Sequence, residues 1–437
     1  MLDRVRAYAR RARFATTPLH ARPTQVRRAL GRTRLGRRAK TLRRLVVRHR
    51  RQAPAKVLPR RPTRPTGRNV LFVSHCDFTG SSAYHVYSIA TELERRGWSP
   101  AIAVPGNPRG VRDLGRPAFP VLSFRDVRHG RLRFADGSGP DLAHAFTPRE
   151  WVRRLTLEVV GRQGCPYVVH LEDNEAAVQQ SVVGAYDPAA ASGFVAEADG
   201  VTAVVDRLLE LKPEQVLGAV FWPGYDESID HLSRSRAEIR CDIGLKPDDI
   251  AVVYTGNVHE ANANEVGSLY EAVSFLRARG RQVVLVKSGW NSIPPSRLPK
   301  LGRGIRDLGW IKRRRVLELL HAADILVQPG APGPFNDYRF PSKLPDFLAS
   351  GNPVILPRTN IGVRLEHEAE ALVLERGDAV DIAAAIRQLA ANAELHARVA
   401  KGGRAFAHRE LTWPRAGDQV ESLYREVLER AREPNAK

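Results

Sequence analysis

One short stretch of the sequence places charged side chains and a predicted helix start between two apolar segments. The stretch FNDYRFPSKLPDFLASGNPVILP, residues 335–357, carries Lys343 and Asp346 just after Pro341. Proline is tolerated in the first turn of a helix because its missing N–H would have no partner there, so a helix beginning at Pro341 is predicted. A carboxylate accepts several hydrogen bonds, whereas a lysine and a helix start favour an anion. The plain alternative is a solvated helix with both charges on its wet face.

A second group of polar residues follows two apolar segments in the first half of the chain. The group comprises Gly80, Ser81 and Ser82 in the turn after NVLFVS, and His170, Glu172 and Asp173 at the end of YVVHLED. The glycine-serine turn suits a ligand site, but an ordinary strand-to-helix connection with Ser82 as N-cap uses the same residues. A histidine at the end of a strand favours a functional role, whereas we expect His144, in DLAHAF, to be buried and hydrogen-bonded.

The elements that position these residues alternate between strand and helix. Short apolar runs of strand type include NVLFVS, PAIAVP, DLAHAF, YVVHLE, IAVVYTG, QVVLVKSG, ADILVQPG and PVILPR. Helical periodicity separates them, for example in NEVGSLYEAVSFLRARG, RRVLELLHAAD and DIAAAIRQLAANAELHARV. This alternation predicts an α/β protein with two tandem Rossmann-like, doubly wound parallel sheets, the first closing near residue 220. Ligands of such sheets bind beyond the carboxyl ends of the strands, and two facing domains leave a cleft there.

The chain has 437 residues, enough for two or three domains, and 43% of them are hydrophobic. Its three cysteines, Cys76, Cys165 and Cys241, are far apart and lack metal-ligand spacing. We therefore expect a reduced compartment and no structural metal.

The formal net charge of +22 is concentrated in the N-terminal part. Residues 1–68 hold 23 of the 69 lysines and arginines and one of the 47 acidic residues, so the rest of the chain is neutral. This tail lacks the apolar core of a signal peptide or a membrane-spanning helix. Its weakly amphipathic basic pattern suits an anionic membrane surface. A solvated extension and nucleic acid binding are the alternatives, although the neutral body lacks a basic stripe interleaved with aromatic residues.

The body from Asn69 to about Arg430 resembles a group 1 glycosyltransferase of the GT-B architecture. The resemblance rests on an ordered set of segments: GSSAYHV, DLAHAFTP, YVVHLED, AVFWPGYD, YTGNVHE, HAADILVQPG, the stretch quoted first, and LTWPRAGDQVESLYREVL. With the basic extension set at 1–66 by its charge, the resemblance implies an acceptor-side domain over 67–222 and a nucleotide-sugar domain over 223–412. A closing helix over 413–437 is expected to return to the first domain.

The resemblance also assigns roles in the second domain. Relatives carry two acids eight positions apart, of which Asp346 retains the second and Tyr338 replaces the first. Asp346 is expected to accept hydrogen bonds from the ribose hydroxyls of the donor. The amides of Ser342 and Lys343 and the Lys343 ammonium are expected to face its diphosphate. Asp337 is the expected substitute for the missing acid.

Further donor-side residues are expected where this chain departs from its relatives. Many relatives grip the diphosphate with an arginine and a lysine after the first strand of the second domain, where GNVHEANAN, beginning at Gly256 and Asn257, has neither. Lys287, Arg339 and Lys343 are expected to supply the charge, because phosphate binding does not require one fixed backbone position.

In the first domain, the resemblance implies acceptor binding and catalysis. Gly80, Ser81 and Ser82 match an acceptor-side loop, and His170 matches a histidine that points across the cleft towards the donor sugar. Glu172 and Asp173 are expected to orient acceptor hydroxyls.

The implied reaction moves a sugar from a nucleoside diphosphate sugar to an acceptor hydroxyl, with retention of configuration, no required metal and no cofactor. In the family's usual mechanism the departing phosphate helps to take the acceptor proton. The expected partners are a nucleotide-sugar donor and a glycan or lipid-linked acceptor, with no nucleic acid.

Two other functions share this fold. One is a non-catalytic module that binds a nucleotide sugar or a membrane, and the other is a nucleotide-sugar epimerase or a phosphorylase. We expect a cytoplasmic protein, held at the inner face of the cell membrane by residues 1–66 and serving polysaccharide or glycolipid assembly.

Overall fold

The computed structural model describes residues 67–78, 80–173, 187–298, 300 and 302–433. The basic extension over 1–66, for which a membrane-surface role is predicted, lies outside the described residues. Within the described ranges, no helix is both long and apolar enough to cross a membrane.

The first sheet contains seven parallel strands in the order β3-β2-β1-β4-β5-β6-β7. Because helices cover both faces of a parallel sheet, its strands are continuous apolar runs, and the side chains from Val70 to Val73 are fully buried. The strands are β1 (Asn69–Ser74), β2 (Ser99–Val104), β3 (Val121–Ser123), β4 (Leu142–Phe146), β5 (Tyr167–Leu171), β6 (Gly200–Ala203) and β7 (Leu217–Val220).

The second sheet contains six parallel strands in the order β10-β9-β8-β11-β12-β13. The strands are β8 (Ile250–Thr255), β9 (Val283–Ser288), β10 (Ile305–Asp307), β11 (Ile325–Val327), β12 (Val354–Pro357) and β13 (Leu372–Leu374). The prediction of two tandem doubly wound sheets is therefore confirmed.

Twelve α-helices occur in the described ranges, and short 3₁₀ turns connect several elements. The helices are α1 (Ser81–Arg95), α2 (Phe124–Arg128), α3 (Glu150–Gln163), α4 (Pro188–Ala196), α5 (Arg236–Asp242), α6 (Ala263–Ala278), α7 (Arg313–Ala322), α8 (Pro334–Asp337), α9 (Leu344–Ala349), α10 (Ala379–Ala391), α11 (Ala393–Glu410) and α12 (Trp413–Arg432).

Two helix boundaries differ from the sequence prediction. Helix α9 begins at Leu344 and not at Pro341. A helix starting at Pro341 would place Pro345 in its interior, where the missing N–H and the ring clash break the hydrogen-bond ladder, so the later start keeps Pro345 in the first turn. The segment predicted as one helix over 381–399 is divided at Asn392, whose side chain accepts a hydrogen bond from the Leu395 amide and caps α11.

The chain crosses between the two sheets twice, and the two crossings lie side by side. Helix α12 packs on the first sheet, where Val420, Leu423 and Tyr424 join the apolar cluster around Phe72. Just before α12, the Leu411 carbonyl accepts a hydrogen bond from the Tyr225 amide in the outgoing crossing, at 2.9 Å. The outgoing and returning chains therefore brace each other.

Candidate active site

The Lys343 ammonium lies at the carboxyl end of β8. It sits 4.7 Å from the centroid of the Tyr254 ring, and a Cβ built on Gly256 would approach its Nζ to 2.9 Å. It makes no hydrogen bond or ion pair with any described residue. Burial and the nearby Arg339 guanidinium lower the pKa of Lys343 to about 7. Lys343 is thus a cation placed where a bound anion would stabilise it.

Arg339 lies next to this cation and shares one carboxylate with it. Its Nη2 atom is 3.5 Å from Glu265 Oε2, while its buried Nε has no hydrogen-bond partner among the described residues. Asn336 also donates to Glu265, and burial raises the pKa of the Glu265 carboxyl group. Two cations around one carboxylate leave a positive excess, which suits a diphosphate.

The remaining predicted cation has an internal partner. Lys287 is fully buried, donates to the Gly289 carbonyl at 3.0 Å, and lies 3.5 Å from an Asp307 carboxylate oxygen. The Lys287 ammonium is therefore satisfied by internal partners, whereas the Lys343 ammonium is not. Ser342 is exposed in the turn before α9.

Asn257, which follows Gly256, holds the loop after β8 to the loop after β9. Its side-chain oxygen accepts a hydrogen bond from the Trp290 amide at 2.9 Å, and its carbonyl accepts one from Asn262 at 3.0 Å. The turn around Gly256 is thus fixed from both sides.

Asp346 is buried and already has two partners. The Arg313 guanidinium grips both carboxylate oxygens, at 2.7 and 2.8 Å, and the Asp226 amide donates to Oδ1 at 3.0 Å. Arg313 also contacts the Asp226 carboxylate and lies over the Tyr84 ring of α1. The ribose contact predicted for Asp346 stays a prediction. In this structure the Asp346 carboxylate ties the domain crossing to the second sheet.

Asp337 and Tyr338, at the position of the absent first acid, contact the first domain. Asp337 accepts from Arg207 at 3.0 Å, and the Tyr338 hydroxyl donates to Glu210 at 3.3 Å. The Thr359 hydroxyl also donates to Asp337. These contacts hold the loop after β11 against the 3₁₀ turn that follows β6.

On the first domain, Glu172 lies at the N-terminal turn of α1. Its carboxylate accepts hydrogen bonds from Ser82 Oγ and from His85 Nδ1, the latter at 2.9 Å. Burial would raise the pKa of Glu172, but the bond from His85 and the nearby histidines lower it to about 2. Gly80, with φ +92°, is the N-cap residue of α1. The alternative that Ser82 is the cap is therefore wrong, because Ser82 lies inside the first turn.

Ser81 and Asp173 are the remaining predicted acceptor-side residues. Ser81 is the exposed first residue of α1, and Asp173 is half-buried beside Glu172.

His170 is fully buried and does not reach the cleft in this structure. It stacks on Phe221, 4.8 Å between ring centroids, and its Nδ1 bonds to Thr202 Oγ1 at 2.8 Å. Burial lowers its pKa to about 3, so the ring is neutral. Its Nε2 lies 3.9 Å from Glu172 Oε1 and makes no hydrogen bond with any described residue.

A buried chain of hydrogen bonds extends from His170 to helix α12. Thr202 Oγ1 also bonds to His144 Nε2 at 2.9 Å, and His144 Nδ1 bonds to the Tyr424 hydroxyl at 2.6 Å. One proton order makes all three hydrogen bonds: Tyr424 donates to His144, His144 to Thr202 and Thr202 to His170, which leaves the His170 proton on Nε2. The expectation that His144 is buried and hydrogen-bonded agrees with this arrangement.

Replacing Tyr424 by phenylalanine is expected to lower the free energy of unfolding by about 1–3 kcal/mol, because His144 Nδ1 is left buried without a partner. Urea unfolding measures the change. The matched control is Tyr270→Phe, since the Tyr270 hydroxyl makes no hydrogen bond with any described residue. Equal losses of unfolding free energy in the two variants would contradict this chain of hydrogen bonds.

Two residues at this site escaped the sequence interpretation. His85 has helical spacing to the apolar face of α1, so its pattern indicates core packing, and Arg313 is one of several consecutive basic residues at the start of α7. Their partners, Glu172 and Asp346, are distant in sequence, so only the fold shows the pairing.

Comparison with known proteins identifies relatives among glycosyltransferases. Residues 249–392 match the family model described as Glycosyl transferases group 1. The curated D-inositol 3-phosphate glycosyltransferase of Saccharomonospora viridis is 27% identical over 258 residues, which cover 54% of this chain and 57% of that protein. The chain thus matches little more than half of that relative's length.

Two solved structures are similar to nearly all of the described body. Alr3699/HepE of Anabaena, in complex with UDP-glucose, is 15% identical with a TM-score of 0.64, covering 82% of this chain and 99% of that one. Sucrose-phosphate synthase of Thermosynechococcus elongatus is 14% identical with a TM-score of 0.62, covering 83% and 99%. Identities this low establish the fold alone. The resemblance to group 1 glycosyltransferases is thereby confirmed, with the family match lying in residues 249–392 and the GT-B fold extending over both sheets.

Proposed function

We propose that the protein transfers a sugar from a nucleoside diphosphate sugar to an acceptor hydroxyl. The observation that carries this proposal is the Lys343 ammonium, which lies against Gly256 and makes no hydrogen bond or ion pair with any described residue. A diphosphate leaving group gains negative charge as it departs, and a fixed cation beside it stabilises that charge. A bound phosphate also offsets the cost of burying the Lys343 charge, because an opposite charge nearby favours the charged form of the amine.

The finer parts of the proposal follow from the family resemblance. We propose retention of the anomeric configuration, no required metal, and a glycan or lipid-linked acceptor. The basic residues in 1–66 are proposed to hold a cytoplasmic enzyme at the inner face of the membrane. That placement suits the assembly of a cell-surface polysaccharide or glycolipid. Retention is tested separately, by proton NMR of the anomeric signal of the product.

A thermal-shift screen of the full chain against UDP, GDP, ADP, CMP, dTDP and their common sugars tests the proposal. A ligand at about 100 times its dissociation constant adds about 2.7 kcal/mol to the free energy of unfolding. We expect one nucleotide family to stabilise the protein, and its sugar conjugate to be consumed with release of the free nucleotide.

The other outcomes point to the alternative functions. Binding without turnover of any donor, tested with a panel of glycan and lipid acceptors, would support the non-catalytic module. Conversion of the sugar while it stays linked to the nucleotide would support an epimerase, and phosphate-dependent cleavage of a glycoside would support a phosphorylase. Stabilisation by none of the nucleotides would overturn the proposed function.

A further inference from the structure

Glu172 and His85 form a carboxylate–histidine pair at the carboxyl end of the first sheet. The two side chains come from different elements, β5 and α1, and are joined at 2.9 Å between Glu172 Oε1 and His85 Nδ1. Ser82 holds the other carboxylate oxygen, and His170 lies behind the same group. The bond from Ser82 and the packing of His170 limit the movement of the carboxylate, so it can orient the His85 imidazole.

The pair determines which nitrogen of His85 carries the proton. An ionised carboxylate only accepts hydrogen bonds, so His85 Nδ1 must donate to Glu172. In the neutral ring the lone pair is then on Nε2. A carboxylate that orients a histidine in this way is the arrangement by which enzymes prepare a general base.

The free nitrogen of His85 is available to a ligand. Nε2 has no hydrogen-bond partner among the described residues. This atom is not fully enclosed, although His85 as a whole is only 5% exposed. The ring lies 6.2 Å from that of Trp413, at the returning domain crossing. The adjacent Tyr84 lies under Arg313 of the second domain. His85 is therefore at the boundary between the domains, on the acceptor side.

We propose that His85 is the base that takes the proton of the acceptor hydroxyl, and that Glu172 is its positioning residue. This inference rests on the proposed transfer reaction. The acceptor hydroxyl approaches the anomeric carbon on the face from which the diphosphate leaves, as retention of configuration requires. Its O–H bond breaks and the proton goes to Nε2 while the oxygen bonds to that carbon. The bond from that carbon to the diphosphate breaks, and its electron pair leaves with the diphosphate. The enzyme thus supplies a base of its own, and the departing phosphate need not serve as one.

The test uses the full chain, the nucleotide sugar selected by the thermal-shift screen, and water as acceptor. In His85→Ala, the kcat for release of free nucleotide is expected to fall by about 100-fold or more. The dissociation constant of the donor is expected to stay within about twofold, because His85 is not placed in the donor site. Added imidazole should restore part of the lost kcat. The matched control is His129→Ala, an exposed histidine at the end of α2, which should keep the parent rate.

A second readout does not depend on turnover. Nitrogen-15 NMR of histidine-labelled protein, with the His85→Ala spectrum for assignment, is expected to show the His85 proton on Nδ1 in the parent. In Glu172→Gln that preference should weaken, and kcat should fall by about tenfold.

The outcomes separate this inference from the proposed function. A kcat for His85→Ala within threefold of the parent, or a parent His85 protonated on Nε2 alone, would overturn the base while the transferase stands. A parent that binds no nucleotide, or turns over no donor, would overturn the proposed function and this inference with it.

Discussion

Replacing Lys343 by methionine is expected to weaken nucleoside diphosphate binding by about 2–5 kcal/mol, which is roughly 30- to 5,000-fold in the dissociation constant. The reason is that the ammonium makes no hydrogen bond or ion pair with any described residue and lies at the end of β8. Methionine keeps the length and apolar stem of the side chain but removes its charge. Isothermal titration with the nucleotide found by the thermal-shift screen measures the change.

The same substitution has a pH-dependent effect on the unliganded protein. The pKa of Lys343 is lowered from 10.5 to about 7 on folding, mainly by burial. Between these values the unfolded chain binds more protons, so the Lys343 contribution to the free energy of unfolding rises with pH from about 7 to about 10.5. Below pH 7 the full penalty of the buried charge is present. Lys343→Met should therefore remove part of the increase in the free energy of unfolding that the parent shows between pH 6.5 and 9.5.

The control for both effects is Lys401→Met, which removes an exposed lysine from α11. It should leave the nucleotide affinity and the pH dependence of the free energy of unfolding unchanged. Equal nucleotide affinity in the parent and in Lys343→Met would place the diphosphate elsewhere.

Breaking the Arg313–Asp346 pair is expected to lower the free energy of unfolding by about 3 kcal/mol. Asp346 is only 5% exposed in its side chain, so Arg313→Ala leaves a buried carboxylate without its cation. The half-exposed arginine keeps the loss below that of a fully buried pair. In Asp346→Ala, Arg313 can turn to water or to Asp226, so the loss should be smaller.

A double-mutant cycle tests this pair. The combined variant should be more stable than the sum of the two single losses predicts, by about 1 kcal/mol or more. Arg314→Ala, next in α7 and 74% exposed in its side chain, is the control and should change stability by less than about 0.5 kcal/mol. Strictly additive losses would contradict the pair.

The predicted ribose contact of Asp346 can be tested with two ligands. If the carboxylate binds ribose, Asp346→Asn should weaken binding of the nucleoside diphosphate but leave pyrophosphate binding unchanged. An equal loss for both ligands would indicate that Asp346 acts by supporting the domain crossing.

Sequence periodicity predicted the fold well because strands of parallel sheets are buried on both faces and leave long apolar runs. Helix ends were predicted less well, since Pro345 and Asn392 act through single turns that periodicity does not reveal. Lys343 was found because it lies within a recognisable segment. The partners of Asp346 and Glu172 were not, because Arg313 and His85 are brought to them by the fold. A fully buried position for His170 likewise depends on Phe221, a residue of the domain crossing.

The paired crossings of the chain have a mechanical consequence. A single linker would leave the rotation of one lobe against the other free, whereas two crossings joined by the Tyr225–Leu411 hydrogen bond restrict that rotation. A Cβ on Gly224 would meet the Trp413 amide nitrogen at 2.5 Å, so the linkers are already in close contact. We therefore expect twisting of one lobe against the other to be resisted. Such resistance would keep Lys343 and His85, one on each lobe, in a defined mutual orientation.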